Sequence, residues 1–317
     1  MSALADFPVA PEKVELITRS ENVTFRVSDP DSDSDYVLRL HRPGYNSIEE
    51  LESERQWTRA LIEAGIPVPD AISTRDGRHF AMVDIPGQGE RCHVGMTRWI
   101  EGTPLFDYLN TDPDNEERRR IFGRIGELIA AMHNQATRWD EPSGFTRPRL
   151  DLDGLLGEAP RWGRFWEHAD LTSAERQMLL RTREKLCTAL RTYKEMPGNF
   201  SLTHADINPD NIVYNEGELA LIDFDDAAYG WHMYDIASAL IDDRHVADFD
   251  AICAALLDSY RKHRPLESRD VDMLPAFLLI RGMVTIGWFH QRPEHAHSES
   301  FEKFRSWVLE ECSTDRW

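Results

Sequence analysis

An α+β fold in two parts is predicted: a small lobe of mixed strand and helix over residues 1–100, and a larger, mainly helical lobe over 101–317. Three observations predict it. Short apolar–polar alternations crowd the first hundred residues. Apolar residues at helical spacing dominate after Gly102. The chain, at 317 residues, exceeds the usual span of one domain. The boundary falls near residues 98–103, and a cleft between two such lobes would be a favoured place for a ligand.

In chain order, "NVTFRV" and "YVLRLH" alternate as half-buried strands do, and the intervening "SDPDSDSD" favours a turn, so the pair reads as a hairpin. Asp31, Asp33 and Asp35 resemble the opening of a calcium loop, but Tyr36 stands where that loop needs glycine and Arg42 where it needs its final glutamate. Calcium is not expected there. "SIEELESERQWTRALIEA" places Ile48, Leu51, Trp57, Leu61 and Ile62 on one helical face, with Ser47 as cap and Gly65 just past the end. "HFAMVDI" and "MTRWIEG" read as further strands. Two long helices follow, over "NEERRRIFGRIGELIAAMHNQA" and "TSAERQMLLRTREKLCTALRTY". A cluster of short strands between Phe200 and Asp223 precedes a helical pattern that runs almost to Trp317.

Composition narrows the function classes. The hydrophobic share is 41% and the charged share 29%, which supports a core of ordinary size and excludes wholesale disorder. With 36 basic against 56 acidic residues the formal charge is −20, a field that repels nucleic acid. Cys92, Cys187, Cys253 and Cys312 are widely spaced, as expected for buried thiols in a reducing compartment. The start "MSALADFPVAPEK" lacks the pattern of a signal peptide. The run "LPAFLLIRGMVTIGWFHQ" is interrupted by Arg281 and reads as a buried helix, not a membrane span. A cytoplasmic protein with no membrane partner is expected. His290, His295 and His297 lack zinc-type partners at suitable spacing, and Trp99, Trp231 and Trp288 read as core.

The chemistry concentrates in "SLTHADINPDNIVYNEGELALIDFDDAAYG", residues 201–230, with five aspartates. "IVY", "NEG" and "LALI" form a hairpin pattern, with Asn211 just before one strand and Asp223 just after its partner. The ends of a hairpin lie side by side, so an amide oxygen and a carboxylate can converge there. With phosphate oxygens and water, that set is what magnesium accepts. Asp206 lies five residues before Asn211, and a carboxylate there can accept a proton from a substrate hydroxyl. Turn chemistry is the rival reading of each residue taken alone.

His204-Ala205-Asp206, then Asn211, then Asp223 in "IDFDDA", then Asp235-Ile236-Ala237 make an ordered set. It resembles the aminoglycoside phosphotransferase and choline kinase-like family, which shares the two-lobed protein-kinase-like fold. "ENVTFRV" is similar to that family's nucleotide-covering hairpin, "YVLRLHRPG" to its cation-bearing strand and "MTRWIEG" to its hinge. The resemblance implies ATP as co-substrate, Mg2+ as cofactor and a small-molecule hydroxyl acceptor as partner. By the same resemblance, Asp206 is the catalytic base, and Asn211 with Asp223 holds the metal. Arg39 pairs with phosphate and is oriented by Glu54, while Thr97, Arg98 and Trp99 line the nucleotide. His204 and Asp235 brace the loop. Asp225 and Asp226 contact substrate or stand behind the metal ligands.

Three departures stand out. Arg39 replaces the usual lysine, which keeps the charge but changes reach. "TRSENVTFR" contains no glycine for a phosphate loop. Asp225 stands where protein kinases have glycine. An acidic acceptor site suits an aminoglycoside, amino alcohol or hydroxy amino acid such as homoserine. A bacterial stress-type protein Ser/Thr kinase and an inactive nucleotide-binding regulator remain the alternatives.

Overall fold

The computed structural model describes residues 2–19, 22–32, 34–85, 89–292, 298–314 and 317. Asp33, His295 and His297, and Ser20 and Glu21 of the glycine-free segment, lie outside the described residues.

The elements, in chain order, are β1 (Lys13–Arg19), β2 (Val23–Ser28), β3 (Tyr36–Leu40), α1 (Ile48–Glu63), β4 (Phe80–Asp84), β5 (Arg91–Arg98), β6 (Thr103–Pro104), α2 (Leu105–Leu109) and α3 (Asn115–Ala136). Then come β7 (Arg149–Leu150), α4 (Leu152–Leu156), α5 (Ser173–Tyr193), β8 (Phe200–Thr203), β9 (Ile212–Asn215), β10 (Glu218–Leu221) and β11 (Ala228–Trp231). Five helices close the chain: α6 (His232–Leu240), α7 (Phe249–His263), α8 (Ser268–Val271), α9 (Leu274–His290) and α10 (Glu299–Thr314).

The chain divides into two compact units. The first comprises Met1–Tyr108, Trp139–Arg147 and Asn211–Asp225. Its main sheet is antiparallel, in the order β1-β2-β3-β5-β4. Alternation in β3 and β5 turns Leu38, Val94 and Met96 inward, where they meet Phe7 and Val27. Helix α1 begins as its sequence predicts: Ser47 Oγ accepts from Glu50 N, and the Glu50 carboxylate accepts from Ser47 N. Leu51, Trp57 and Leu61 are its buried stripe. A second sheet, β10-β9-β6, carries the hairpin read from "IVYNEGELALI". Its two-residue turn puts Glu216 at φ 49° and Gly217 at φ 95°, the left-handed pair that matches the twist of a tight hairpin.

The second unit comprises Leu109–Arg138, Pro148–Asp210 and Asp226–Trp317. It is mainly helical and holds one small sheet, β7-β11-β8. Helices α3 and α7 approach closely at Gly126, where an added Cβ would meet the Leu256 carbonyl, its carbon at 3.0 Å. Gly126→Ala is therefore expected to destabilise the protein by about 1–2 kcal/mol, overpacking outweighing the gain in helix propensity. Thermal unfolding checks it, and an unchanged midpoint would contradict the close approach. Helix α9 is the expected buried helix, with twelve buried residues from Leu274 to Phe289.

Four strands were not foreseen in the sequence: β1, β11 and the two-residue β6 and β7. β11 replaces the start of the expected helical run; at four residues it is too short to show a period before α6 begins. β1 is exposed along its whole length, so no buried face imposes alternation on its sequence. The four cysteines are free thiols, three buried and Cys253 half-buried.

Candidate active site

In the first unit, the β9–β10 hairpin sets the positions of Asn211 and Asp223. Leu221 pairs with Ile212, and one step further Ile222 N donates to Asn211 O at 3.0 Å, so Asp223 emerges beside the start of β9. Asp223 is left-handed at φ 63°, a conformation that non-glycine residues hold only when their surroundings enforce it. From β3, Arg39 Nη1 donates to Asp223 Oδ1 at 2.8 Å and lies 3.9 Å from Asp225 Oδ1. Burial opposes the guanidinium charge, but Asp223, Asp225 and Glu54 outweigh it and raise the Arg39 pKa.

Asp225 is buried. Asn22 Nδ2 donates to its Oδ2 at 2.5 Å, and His41 Nδ1 lies 3.4 Å from its Oδ1. Its backbone carbonyl accepts from Asn46 Nδ2 at 3.0 Å and from Arg147 Nη2 at 2.6 Å. Burial alone would raise its pKa; His41, Arg39 and Asn22 together hold it well below the usual carboxylate range. Asp225 thus knits the segment after β10 to β2, to the end of β3 and to residue 147.

Glu54 on α1 lies 4.0 Å from Arg147 Nη1, and its Oε2 is buried without a hydrogen bond. Among the described residues it forms no ion pair with Arg39, although the two interact electrostatically. Burial, reinforced by Asp225, pushes the Glu54 carboxyl up to about 7 from its ordinary 4.5, against Arg147, His41 and Arg39. A raised folded-state pKa contributes stability that is complete below about 4.5 and lost as pH rises through about 7. Glu54→Gln keeps the protonated shape. Relative to the variant, the wild type is expected to lose about 3 kcal/mol between pH 5 and 8 in denaturant titrations. A constant difference across that range would mean that Glu54 does not titrate there.

The expected nucleotide-lining residues sit at the end of β5. Thr97 pairs with Val37 and bridges to Ala71. Arg98 N donates to Asp70 O at 2.8 Å, and its side chain reaches Ser34 Oγ at 3.0 Å. The Arg26 guanidinium lies over the Trp99 ring at 4.3 Å, and Trp99 Nε1 is buried without a partner.

The oxygen donors of Asn211 and Asp223 suit a hard cation. Among the described residues no three His, Cys, Asp or Glu side chains gather as a metal cage. Magnesium requires none, because phosphate oxygens and water fill most of its shell.

In the second unit, Asp206 follows a kinked loop. Ala205 is left-handed at φ 69°, which turns two successive amides toward one carboxylate. His204 N donates to Asp235 Oδ2 at 3.0 Å and Ala205 N to Asp235 Oδ1 at 2.7 Å. Asp235, fully buried on α6, also meets His133 Nε2 at 3.0 Å, and His133 Nδ1 lies 2.9 Å from Tyr260 Oη. Burial pushes the Asp235 carboxyl up to about 6, against the His204 charge, the two amides and Arg281. His133 is held well below its ordinary pKa by burial and by Arg264.

The side chain of Asp206 forms an ion pair with Arg281 of α9, Nη2 donating to Oδ1. Arg281 Nη1 donates to Tyr234 Oη at 3.3 Å. Asp206 retains 24% of its side-chain exposure and Arg281 14%, so the pair is reachable. Burial opposes the Arg281 charge, but Tyr234 and Asp206 outweigh it. Nearby Asp242 is exposed yet crowded by protein, and that crowding raises its carboxyl to about 6 against the pull of Arg281 and Arg244.

A family model described as the phosphotransferase enzyme family matches residues 13–266. The chain belongs to this family. Among solved structures, a microcompartment-associated aminopropanol kinase is similar at a TM-score of 0.84 and 29% identity, covering 98% of this chain and 94% of that one. Among curated relatives, a homoserine kinase from Pseudomonas aeruginosa is 28% identical, over 82% of this chain and 75% of its own length. An amicoumacin kinase from Bacillus subtilis is 20% identical, over 91% of this chain and 83% of its own. The fold is kinase-like, as the sequence predicts, and the protein is a phosphotransferase acting on hydroxyl acceptors.

For a phosphotransferase, the structure sorts the expected site residues into two groups. Arg39, Glu54, Thr97, Arg98, Trp99, Asn211, Asp223 and Asp225 fall in the first unit. His204, Asp206, Asp226 and Asp235 fall in the second. Within the first, Arg39 joins Asp223 directly, and Glu54 stands with Arg147 instead. The sequence reading overlooked Asn22, His41, Arg147 and Arg281. Asn22 and His41 fall within the quoted "ENVTFRV" and "YVLRLHRPG" without a role assigned to them, and Arg281 left a signal as the charge that interrupts the apolar run of α9.

Proposed function

We propose that this phosphotransferase moves the γ-phosphate of ATP to a hydroxyl of a small, amine-bearing molecule, with Mg2+ as cofactor. The observation that carries the reading is the half-exposed Asp206 carboxylate, with the exposed Asp242 close enough to Arg281 and Asp206 to feel both charges. In the transfer, the acceptor oxygen bonds to the γ-phosphorus as the bridging P–O bond to the β-phosphate breaks. ADP leaves with the bonding electrons, and the hydroxyl proton passes to Asp206. Asn211 and Asp223 would hold the magnesium, which when bound neutralises charge on the phosphate oxygens. Arg39 would turn from Asp223 toward phosphate, and Thr97, Arg98 and Trp99 would flank the base. On this reading residues 1–100 serve mainly the nucleotide and 101–317 the acceptor. The acids beside Asp206 suit an ammonium group on the acceptor.

The test is an acceptor screen by ADP release, run with wild type and Asp206→Asn side by side. The panel holds amino alcohols, hydroxy amino acids, aminoglycosides and a protein Ser/Thr acceptor. Turnover of amine-bearing small molecules, lost in the variant, supports the reading. Turnover of protein alone points to a protein kinase. ATP binding without any turnover sinks the enzymatic reading in favour of a nucleotide-binding regulator.

A further inference from the structure

Arg281 is an expensive residue where it stands. Every other position of α9 from Leu274 to Phe289 is uncharged, and twelve residues of the helix are buried. An ion pair half-buried at an otherwise apolar helix gives up much of its attraction to desolvation, so folding alone does not explain it. Its geometry gives a second reason. A guanidinium has five N–H donors. Tyr234 Oη takes one from Nη1, Asp206 takes one from Nη2, and Nε is enclosed without a partner. One N–H on each terminal nitrogen is left over, and a spare charged N–H is a donor that a carboxylate accepts.

Asp242 completes the pattern. It is exposed and senses the Arg281 charge, yet among the described residues it forms no ion pair with Arg281 within 4.0 Å. Around Asp206 there is therefore a cation with free donors and a separate free carboxylate, a complement to a zwitterion.

We propose that Arg281 reads a carboxylate on the acceptor while Asp242 receives its ammonium group, so that the preferred acceptors are hydroxy amino acids and not the corresponding amino alcohols. The assignment rests on the kinase reading above and narrows it. The relatives frame the question without deciding it, because a homoserine kinase and an aminopropanol kinase are similar to this chain at nearly the same identity.

The experiment uses acceptor pairs that differ only in the carboxylate: L-homoserine against 3-amino-1-propanol, and L-threonine against 1-amino-2-propanol. kcat/KM is measured for each with wild type, Arg281→Gln and Arg281→Lys, and nucleotide binding by calorimetry checks that the variants are folded. Wild type is expected to favour the carboxylate-bearing member. Arg281→Gln is expected to shrink the ratio within a pair by roughly 10–100-fold, the worth of charged hydrogen bonds, with the loss in KM. Arg281→Lys is expected to recover part of it. A ratio unchanged in Arg281→Gln would reduce Arg281 to a positioning residue for Asp206 and overturn the proposal. Faster wild-type turnover of the amino alcohols would overturn it too, while leaving the kinase reading intact. Absence of turnover with every acceptor would sink both.

Discussion

Asp206→Asn is expected to lower kcat by roughly 10²–10⁴-fold, the usual contribution of a positioned proton acceptor. Asparagine keeps the shape of aspartate but cannot take the hydroxyl proton, so the loss should appear in the chemical step. KM for ATP should stay within a factor of about two, because the residues proposed for nucleotide lie in the other unit. Arg281 loses its anionic partner in this variant, which is a separate effect on stability. That pair is partly exposed, so the cost is expected to be modest, and the thermal midpoint records it apart from the kinetics. Steady-state kinetics with the best acceptor from the screen decide the matter. A variant retaining more than about a tenth of wild-type kcat would remove Asp206 from the chemistry.

Asp235→Asn is expected to produce the largest loss of stability, about 3–5 kcal/mol, as when one member of a buried charged network is removed. The carboxylate accepts from His204 N and Ala205 N and lies within hydrogen-bond reach of His133 Nε2, with no exposure to solvent. An asparagine can accept with one oxygen only, and its amide group would point N–H donors at a backbone N–H. One amide of the kinked loop is then buried without a partner, and Ala205 loses what holds it at φ 69°. Urea titration should show the fall in midpoint. The activity of the folded fraction should fall too, because Asp206 follows directly on the loop. A variant as stable as wild type would mean that the loop holds its kink without Asp235.

The sequence made the fold class legible because its cues are local. Ser47 announces the start of α1, and the Glu216-Gly217 turn announces the β9–β10 hairpin. Asn211 and Asp223 stand out because a hairpin brings its own ends together, a relation that spacing alone encodes. The partners were illegible because they come from far along the chain. Arg281 is 75 residues from Asp206, and Asn22 is 203 residues from Asp225. No periodicity links such positions. "IDFDDA" shows the same limit at short range. Its second and third acids look alike in the sequence, yet Asp225 belongs to the first unit, buried among Asn22, His41 and Arg39, whereas Asp226 begins a segment of the second. One of the departures, arginine for lysine at position 39, has a counterpart in the structure. The Arg39 guanidinium bonds Asp223 at 2.8 Å and reaches toward Asp225, the carboxylate that stands where protein kinases have glycine.

The first unit is discontinuous, and this bears on how the protein is made. On the ribosome, residues up to Tyr108 emerge together, but β9, β10 and Asp225 follow only after more than a hundred further residues. At about 5–20 residues per second, that interval lasts roughly 5–20 s. Throughout it Arg39, His41 and Asn22 lack the carboxylates that later bind them, and the cation and polar groups of the nascent sheet stand uncompensated. Nucleotide competence should therefore arise late in synthesis, and a chain truncated before Asn211 should be captured by chaperones and not accumulate as an independent nucleotide-binding piece.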